Sequence, residues 1–266
     1  MAKYYILDKI FAVGTEYRAE DDKLYVITKL GCDSGEVIPT VDGQKIGKLH
    51  ADFAPLHRTS SNKLGPFDLK ELFIVVPPRK LLKFEGTAAK VRAIGKIIEL
   101  EPGEAPPTDL IARYNAHGKN YWTYEKASKS LGTDVAWKAD QEIELLTLKP
   151  TTIEKYLFDS IIMVKISNAT IAEGDVALRI YVDDKPLDIL EKAMGKLGID
   201  VLSCPYPPAD STEEIPFSLK DLPVEIPGDH TIKFTVINVS GNDITPPSGS
   251  SITIDLLVVY KRFQVS

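Results

Sequence analysis

Hydrophobic and polar residues alternate most clearly in the C-terminal half of the chain. Every second position is apolar in residues 176–182, 232–236 and 252–260. A period of two residues is typical of β-strands that pack one face on a core. In the last of these segments the alternate positions Leu257 and Val259 are apolar as well. We therefore expect the later part of that strand to be covered on both faces, by another part of the chain or by another subunit.

Further segments have the composition of strands. They are residues 143–148 and 161–167, together with 3–13, 24–30, 72–77 and 91–100 in the less regular N-terminal half. Asp42-Gly43 predicts a hairpin turn, although Pro39 in its first arm is a residue usually confined to edge strands and bulges. Segments rich in Pro, Gly, Ser, Asn and Asp separate the later strands. The pattern predicts a mainly β protein, an antiparallel β-sandwich.

One helix is predicted within this series of strands. Leu187, Leu190, Met194 and Leu197 recur at spacings of three and four residues, and Pro186 suits a first helical turn. The Pro-rich stretch 101–107 is either a linker or a long loop. We accordingly expect a C-terminal β-sandwich at 106–266 and an N-terminal β region at 1–105. The N-terminal region is either part of the same sandwich or a separate β domain.

Composition excludes some classes of protein. The 266 residues are 44% hydrophobic and 26% charged, which is ordinary globular usage and excludes wholesale disorder. A net charge of −6 argues against nucleic acid as the main partner, because phosphate binding needs an excess of Lys and Arg. Cys32 and Cys204 lack metal-ligand spacing, and we expect free thiols, with one disulfide as the alternative.

No segment has the features of a membrane span or of a secretion signal. The start of the chain, Met1-Ala2-Lys3-Tyr4-Tyr5, leads directly into strand-like residues, and no apolar run approaches the ~20 residues that cross a bilayer. The sequence thus predicts a protein that is made and kept in the cytoplasm, or released without a Sec signal.

Chemistry-bearing motifs do not form a catalytic site in this sequence. The four histidines lack metal-binding spacing, and no motif of a serine hydrolase, a dinucleotide-binding protein or a P-loop protein occurs. Asp183-Asp184 is predicted to form a turn and a helix cap rather than a calcium site. We predict no catalytic residue, no metal and no cofactor.

The concentration of aromatic residues at 114–124 is the strongest candidate for a binding site. It is formed by Tyr114, Tyr121, Trp122 and Tyr124. Aromatic rings next to amide and hydroxyl groups stack on sugars or anchor protein interfaces, and they also pack in cores. Core packing is the favoured interpretation, and a binding or subunit contact is the alternative. Leu257 and Val259 are the other candidate interface residues.

Four segments of the C-terminal half resemble the strands of jelly-roll or related β-sandwich proteins of virus particles. They are residues 146–151, 161–164, 178–183 and 252–256. The resemblance implies a jelly-roll type of sandwich and a capsid or other virion protein that associates with copies of itself and with other virion proteins. Assembly would then take place in the host cytoplasm. Lectins and carbohydrate-binding modules show similar strands, and fold analogy carries no functional residue over.

Two functions therefore follow as hypotheses. The first is a non-enzymatic, self-assembling subunit of a virus particle. The second is a carbohydrate- or cell-surface-binding module, such as a phage receptor-binding or tail protein, that uses residues 114–124 to bind a glycan. An enzyme with dispersed carboxylates is the third and least favoured class.

Overall fold

The computed structural model describes residues 2–59, 64–172, 175–187, 217–218 and 223–265. The chain divides into two compact units, one formed by residues 1–124 with 261–263 and the other by residues 125–260 with 264–266. The division into a C-terminal β-sandwich at 106–266 and an N-terminal β region at 1–105, either part of the same sandwich or a separate β domain, stays a prediction, because compactness does not show that a segment folds by itself.

The first unit consists mainly of short strands. They are β1 (Lys3–Ala12), β2 (Glu16–Arg18), β3 (Lys23–Cys32), β4 (Glu36–Val41), β5 (Gln44–Lys45), β6 (Leu49–His50), β7 (Phe67–Asp68), β8 (Ile74–Val76), β9 (Leu81–Gly86) and β10 (Lys90–Glu99). The described part of this unit also contains a short 3-10 helix, Lys70–Leu72, between β7 and β8, and an α-helix, α1 (Thr108–Asn115), after β10. The long strand β11 (Asn120–Thr133) begins in this unit and continues into the second.

The strands of the first unit form two antiparallel sheets in jelly-roll order. In one sheet β1 pairs with β10, β10 with β3, and β3 with β7 and β8. In the other, β2 pairs with β9, β9 with β4, and β4 with β5 and β6. The first strand, β1, thus lies beside the last, β10, and the second strand, β2, lies beside β9, as in a jelly roll. Phe11 of one sheet packs on Phe84 of the other, with ring centroids 5.4 Å apart.

The predicted hairpin at Asp42-Gly43 is confirmed, and the structure shows why it tolerates Pro39. Asp42 and Gly43 both have positive φ, at 48° and 77°, as a two-residue hairpin turn requires. Pro39 lies between Thr40, which pairs with β5, and Val37, which pairs with β6. Its carbonyl accepts the N–H of Ile46 on that side, so its missing N–H falls in the gap between the two short strands.

The second unit has the same strand order. Its strands are β12 (Glu142–Leu148), β13 (Glu154–Phe158), β14 (Ile161–Ser167), β15 (Val176–Val182), β16 (Lys185–Pro186), β17 (Phe217–Ser218), β18 (Val224–Ile226), β19 (Ile232–Asn238) and β20 (Ser251–Gln264). β11 pairs with β20, β20 with β14, and β14 with β17, while β12 pairs with β19, β19 with β15, and β15 with β16. This is again the jelly-roll order, with β13 as an additional strand beside β20 and β18 beside β13.

The core of the second unit lies between its two sheets, as the alternation in the sequence predicts. Ile252, Ile254, Leu256, Val258 and Tyr260 of β20 share one buried cluster with apolar residues of β15 and β19 from the other sheet. The prediction of a mainly β, antiparallel sandwich of jelly-roll type is therefore confirmed, and the strand order excludes an immunoglobulin-like topology for this unit.

Several local predictions have other outcomes. The predicted helix lies outside the described residues, apart from its first two residues: Pro186 belongs to strand β16 instead of a first helical turn, and Leu187 has no regular structure. The helix that is described, α1, follows the Pro-rich stretch 101–107 in the N-terminal unit and was not predicted. Asp183 and Asp184 form a two-residue turn between β15 and β16 with positive φ at both, which confirms the predicted turn. The predicted helix cap is wrong, because this turn leads into a strand.

Candidate functional site

Trp122, at the centre of the aromatic segment, is a core residue of the first unit. Its exposed fraction is 1%, and its indole Nε1 donates a hydrogen bond to the Leu69 carbonyl at 2.8 Å. The Phe67 ring packs edge-on against it at 5.0 Å, and the ammonium of Lys261 lies 4.8 Å from the ring centroid. The apolar surface and the single donor of this side chain are thus both satisfied within the unit.

The three tyrosines of the segment are likewise held by partners in the same unit. Tyr121 and Tyr124 are each 5% exposed. The hydroxyl of Tyr121 accepts a hydrogen bond from Arg262. The hydroxyls of Tyr124 and Tyr114 donate to carboxylates, that of Glu36 at 2.5 Å and that of Asp42 at 2.8 Å. Core packing, the favoured interpretation, agrees with this arrangement, and a binding role for these four residues stays a prediction.

Leu257 and Val259 are buried as well. Their exposed fractions are 0% and 1%, and Leu257 lies opposite Met163 of β14 in the sheet. The later part of the strand is covered on both faces, as its sequence predicts. A subunit contact near these two residues stays a prediction, and their side chains are not accessible in the single chain.

A different strand, β1, presents apolar side chains to solvent. Tyr4, Ile6 and Ile10 point to one face of the sheet and are 63%, 87% and 57% exposed. Only Leu7 and Phe11, on the opposite face, are buried among the ten residues of the strand. We call Tyr4, Ile6 and Ile10 the β1 stripe. Exposed apolar side chains that line up along a strand are typical of interaction surfaces, unlike isolated ones.

Asp8, which lies between Ile6 and Ile10 on the outer face of β1, forms an ion pair within the chain. The carboxylate of Asp8 accepts two hydrogen bonds from the guanidinium of Arg92 on β10, at 2.8 and 2.7 Å. This paired arrangement holds the pKa of Asp8 below its ordinary value, mainly through the hydrogen bonds from Arg92. Because Asp8 is paired, the outer face of β1 can meet an apolar partner without leaving an isolated carboxylate.

β1 is also the end strand of its sheet. The sheet runs in the order β1-β10-β3-β7, and within the described residues β1 pairs only with β10. Just beyond the strand, Val13 donates its N–H to the Ala89 carbonyl on the β10 side, whereas Ala12 donates its N–H to the Tyr17 hydroxyl at 2.9 Å. Successive backbone groups of a strand point to opposite sides. The N–H and C=O groups of residues 4, 6, 8 and 10 therefore point away from β10, towards the open edge.

The side chains of Cys32, His230 and Asp183 have structural surroundings. Among the described residues no group of three or more His, Cys, Asp and Glu side chains is placed to hold a metal ion. Cys32 is a free, buried thiol whose pKa is raised to about 12 by burial and by nearby Asp33. His230 contacts the Asp183 carboxylate at 2.5 Å beside the turn between β15 and β16.

His117 is the buried histidine of the first unit. Its Nε2 accepts the backbone N–H of Val75 at 3.3 Å, and its Nδ1 has no hydrogen-bond partner. Burial, with a smaller contribution from Arg113, lowers the pKa of His117 to about 3. The imidazole is thus neutral at physiological pH and supports the strand β8 rather than a reaction.

Within the described residues the structure contains no helix that is long and apolar enough to span a membrane.

Comparison with known proteins gives matches among solved structures. Neither a protein-family model nor a curated protein sequence matches it. It is similar to the major capsid protein P2 of bacteriophage PM2, with a TM-score of 0.34 and 11% identity over 100% of this chain and 98% of that chain. It is also similar to a chain of the PBCV-1 virus capsid, with a TM-score of 0.34 and 10% identity over 98% and 94% of the two chains.

A chain of the Sputnik virophage gives a TM-score of 0.35 and 7% identity over 98% of this chain and 85% of its own. The PM2 and PBCV-1 chains are named as capsid components. TM-scores of this size show neither a common family nor a common function. The jelly-roll assignment stands on the strand order of the chain itself.

Proposed function

We propose that this chain is a non-enzymatic structural subunit that associates with copies of itself to build a virus particle. The observation that carries the proposal is the β1 stripe, a row of exposed apolar side chains on a strand whose outer backbone groups point to an open sheet edge. Native proteins usually shorten, charge or cover such an edge, because it pairs readily with other chains. A long, apolar edge strand is therefore a site of association.

The jelly-roll order of strands, which occurs in both units, supports a virus particle as the product of assembly. Both units place their strands in jelly-roll order, and jelly rolls are frequent in viral capsid proteins. The strand patterns of the C-terminal half resemble those of virion proteins. Fold analogy alone is an associational argument, and for this reason the test is directed at the surface.

The experiment is a substitution of the stripe followed by a measurement of mass. Ile6→Glu and Ile10→Lys place charges on the outer face of β1 without touching Leu7 or Phe11 in the core. Light scattering coupled to size-exclusion chromatography, over a concentration series, gives the association state of each variant. We expect the native chain to form discrete oligomers or larger particles and each variant to associate about 10- to 100-fold more weakly, the effect of losing one buried isoleucine from a contact.

Ile153→Lys is the matched control. Ile153 is 58% exposed, similar to Ile10, and stands outside any strand in the second unit. Circular dichroism spectra and thermal midpoints of all variants show whether the fold is retained. A native chain that stays monomeric at all concentrations overturns the proposal, as do β1 variants that associate like the native chain.

The alternative, a glycan- or cell-surface-binding module, needs aromatic faces that are open to a sugar. Tyr121, Trp122 and Tyr124 are buried in the first unit, so none of these three rings offers such a face. No described feature of the aromatic segment favours this function over self-assembly.

A further inference from the structure

We propose that two copies of this chain join through their β1 strands, paired antiparallel about a two-fold axis at Leu7. This inference rests on the proposed function and specifies the contact that it requires. The partner is a second copy, because the edge of β1 is complementary to itself in one register.

Backbone geometry limits the registers that are available. Residues 4, 6, 8 and 10 direct their N–H and C=O groups to the open edge, so an antiparallel partner must place even-numbered residues opposite even-numbered ones. A two-fold axis perpendicular to the sheet meets this condition and keeps the apolar outer faces of both copies on the same side. The four registers with the greatest overlap are centred on residues 6, 7, 8 and 9.

Charge then distinguishes these four registers. Centring the pair on residue 6 places Lys3 opposite Lys9, and centring it on residue 8 or 9 places Asp8 opposite Asp8 or Lys9 opposite Lys9 of the other copy. Like charges directly opposite each other destabilise a strand pair. The register at 8 also pairs through the N–H of Ala12, which already donates to Tyr17.

The register centred on Leu7 avoids all of these conflicts and forms favourable pairs. It places Tyr4 opposite Ile10 twice, an aromatic and β-branched pair that stabilises antiparallel strands. On the other face it places Tyr5, which is 46% exposed, opposite Lys9, whose ammonium lies 5.1 Å from the Phe11 ring centroid of its own chain, so no like charges meet there. The Asp8 carboxylate, opposite Ile6, keeps its own Arg92.

The resulting contact is closed. Each copy uses its β1 edge once, so the two sheets become one continuous sheet, and β1 alone cannot propagate a fibre. Assembly beyond two copies therefore needs other surfaces of the chain. Closing the edge in this manner also removes the open strand that would otherwise attract unrelated chains.

Mixed disulfide formation tests the register. In a Cys204→Ser background, which leaves the buried Cys32 as the native thiol, one variant carries Tyr5→Cys and a second carries Lys9→Cys. Positions 5 and 9 of opposite copies form a pair without backbone hydrogen bonds, with Cα atoms about 4.5 Å apart, which is within disulfide range. Dissolved oxygen with a copper catalyst oxidises the paired thiols.

We expect covalent dimers only when the two variants are mixed and allowed to exchange subunits. Random pairing of equal amounts makes about half of the dimers mixed, so about half become cross-linked. Neither variant alone gives them, because the introduced thiol then faces a native side chain of the other copy, Lys9 in the Tyr5→Cys variant and Tyr5 in the Lys9→Cys variant. The Leu7-centred register is overturned if the mixture does not cross-link, or if either variant alone cross-links as efficiently.

Light scattering on the native chain distinguishes a failure of the proposed function from a failure of the β1 contact. A strict monomer overturns the proposed function and this contact together. Native oligomers whose mixed variants are folded and associated, yet do not cross-link, overturn the β1 contact and leave self-assembly standing through another surface.

Discussion

Single side chains in the first unit show how a residue suited to chemistry or binding serves the fold instead. Trp122 donates its only N–H to Leu69, and Arg113 donates to the carbonyls of Leu72, Phe73 and Asn120. Burial lowers the pKa of Arg113 to about 10. Each of these polar atoms satisfies a backbone group where short strands and a helix leave the sheet ladder incomplete.

His117 makes the stability of the chain dependent on pH. Its pKa in the folded chain, about 3, lies below the ordinary value of 6.5, so at pH 5 the unfolded chain binds a proton that the folded chain does not. Stability is therefore unaffected by this group above pH 6.5 and falls as the pH drops from 6.5 towards 3. We expect the native chain to lose about 2 kcal/mol more unfolding free energy between pH 7 and pH 5 than His117→Gln loses.

Urea denaturation of both chains at pH 7 and pH 5 measures this difference. The glutamine variant keeps a group that can accept the N–H of Val75 but has no proton to bind in this pH range. Equal losses in the two chains would show that His117 is accessible to protons in the folded state.

At the scale of the element, Gly95 allows β10 to pair with β3. The register of the two strands shifts between Ile94 and Gly95, and a Cβ atom at Gly95 would lie 1.9 Å from the Val26 carbonyl oxygen. The backbones approach too closely here for any side chain. We expect Gly95→Ala to lower the free energy of unfolding by about 1–3 kcal/mol, the usual cost of forcing an extra methyl group into a packed site.

Gly65→Ala is the control for this substitution. The atom nearest to an added Cβ at Gly65 is Cγ of Arg58 at 3.8 Å, an ordinary contact. Its free energy of unfolding should change by no more than about 0.5 kcal/mol in the same denaturation experiment. If Gly95→Ala proves equally mild, the two strands can separate at the bulge more easily than the structure indicates.

A comparison of β1 with β20 shows which part of the candidate site can be predicted from sequence. Both strands carry apolar residues on both faces, and in both cases the strand itself is predictable. In β20 the second set, Leu257 and Val259, is buried, whereas in β1 it is exposed as Tyr4 and Ile6. The sequence of a strand shows its period but not which element covers each face, so the exposure of the β1 stripe cannot be predicted from it. The apolar residues on both faces of β1 are the signal in the sequence that points to the stripe.

At the scale of the whole molecule, the strand order is the property that local patterns leave open. Strands with strict alternation, such as β15 and β19, are predictable residue by residue. β11 is not, since its later part, Lys126-Ala127-Ser128-Lys129-Ser130, has few apolar side chains and is held by pairing with β20. That the jelly-roll order occurs in both units depends on contacts between distant segments, and no repeat in the sequence indicates it.

The apolar character of the β1 stripe has a consequence for the temperature at which particles form. Burial of apolar surface is driven largely by entropy near room temperature, and it weakens on cooling and strengthens with excluded salts such as sulfate. Assembly through Tyr4, Ile6 and Ile10 should therefore be promoted by warming and by ammonium sulfate and reversed at about 4 °C, to be followed by light scattering during a temperature cycle. Association that instead grows on cooling would mean that polar contacts drive it. If the expected response is found, temperature alone would be a reversible control of assembly.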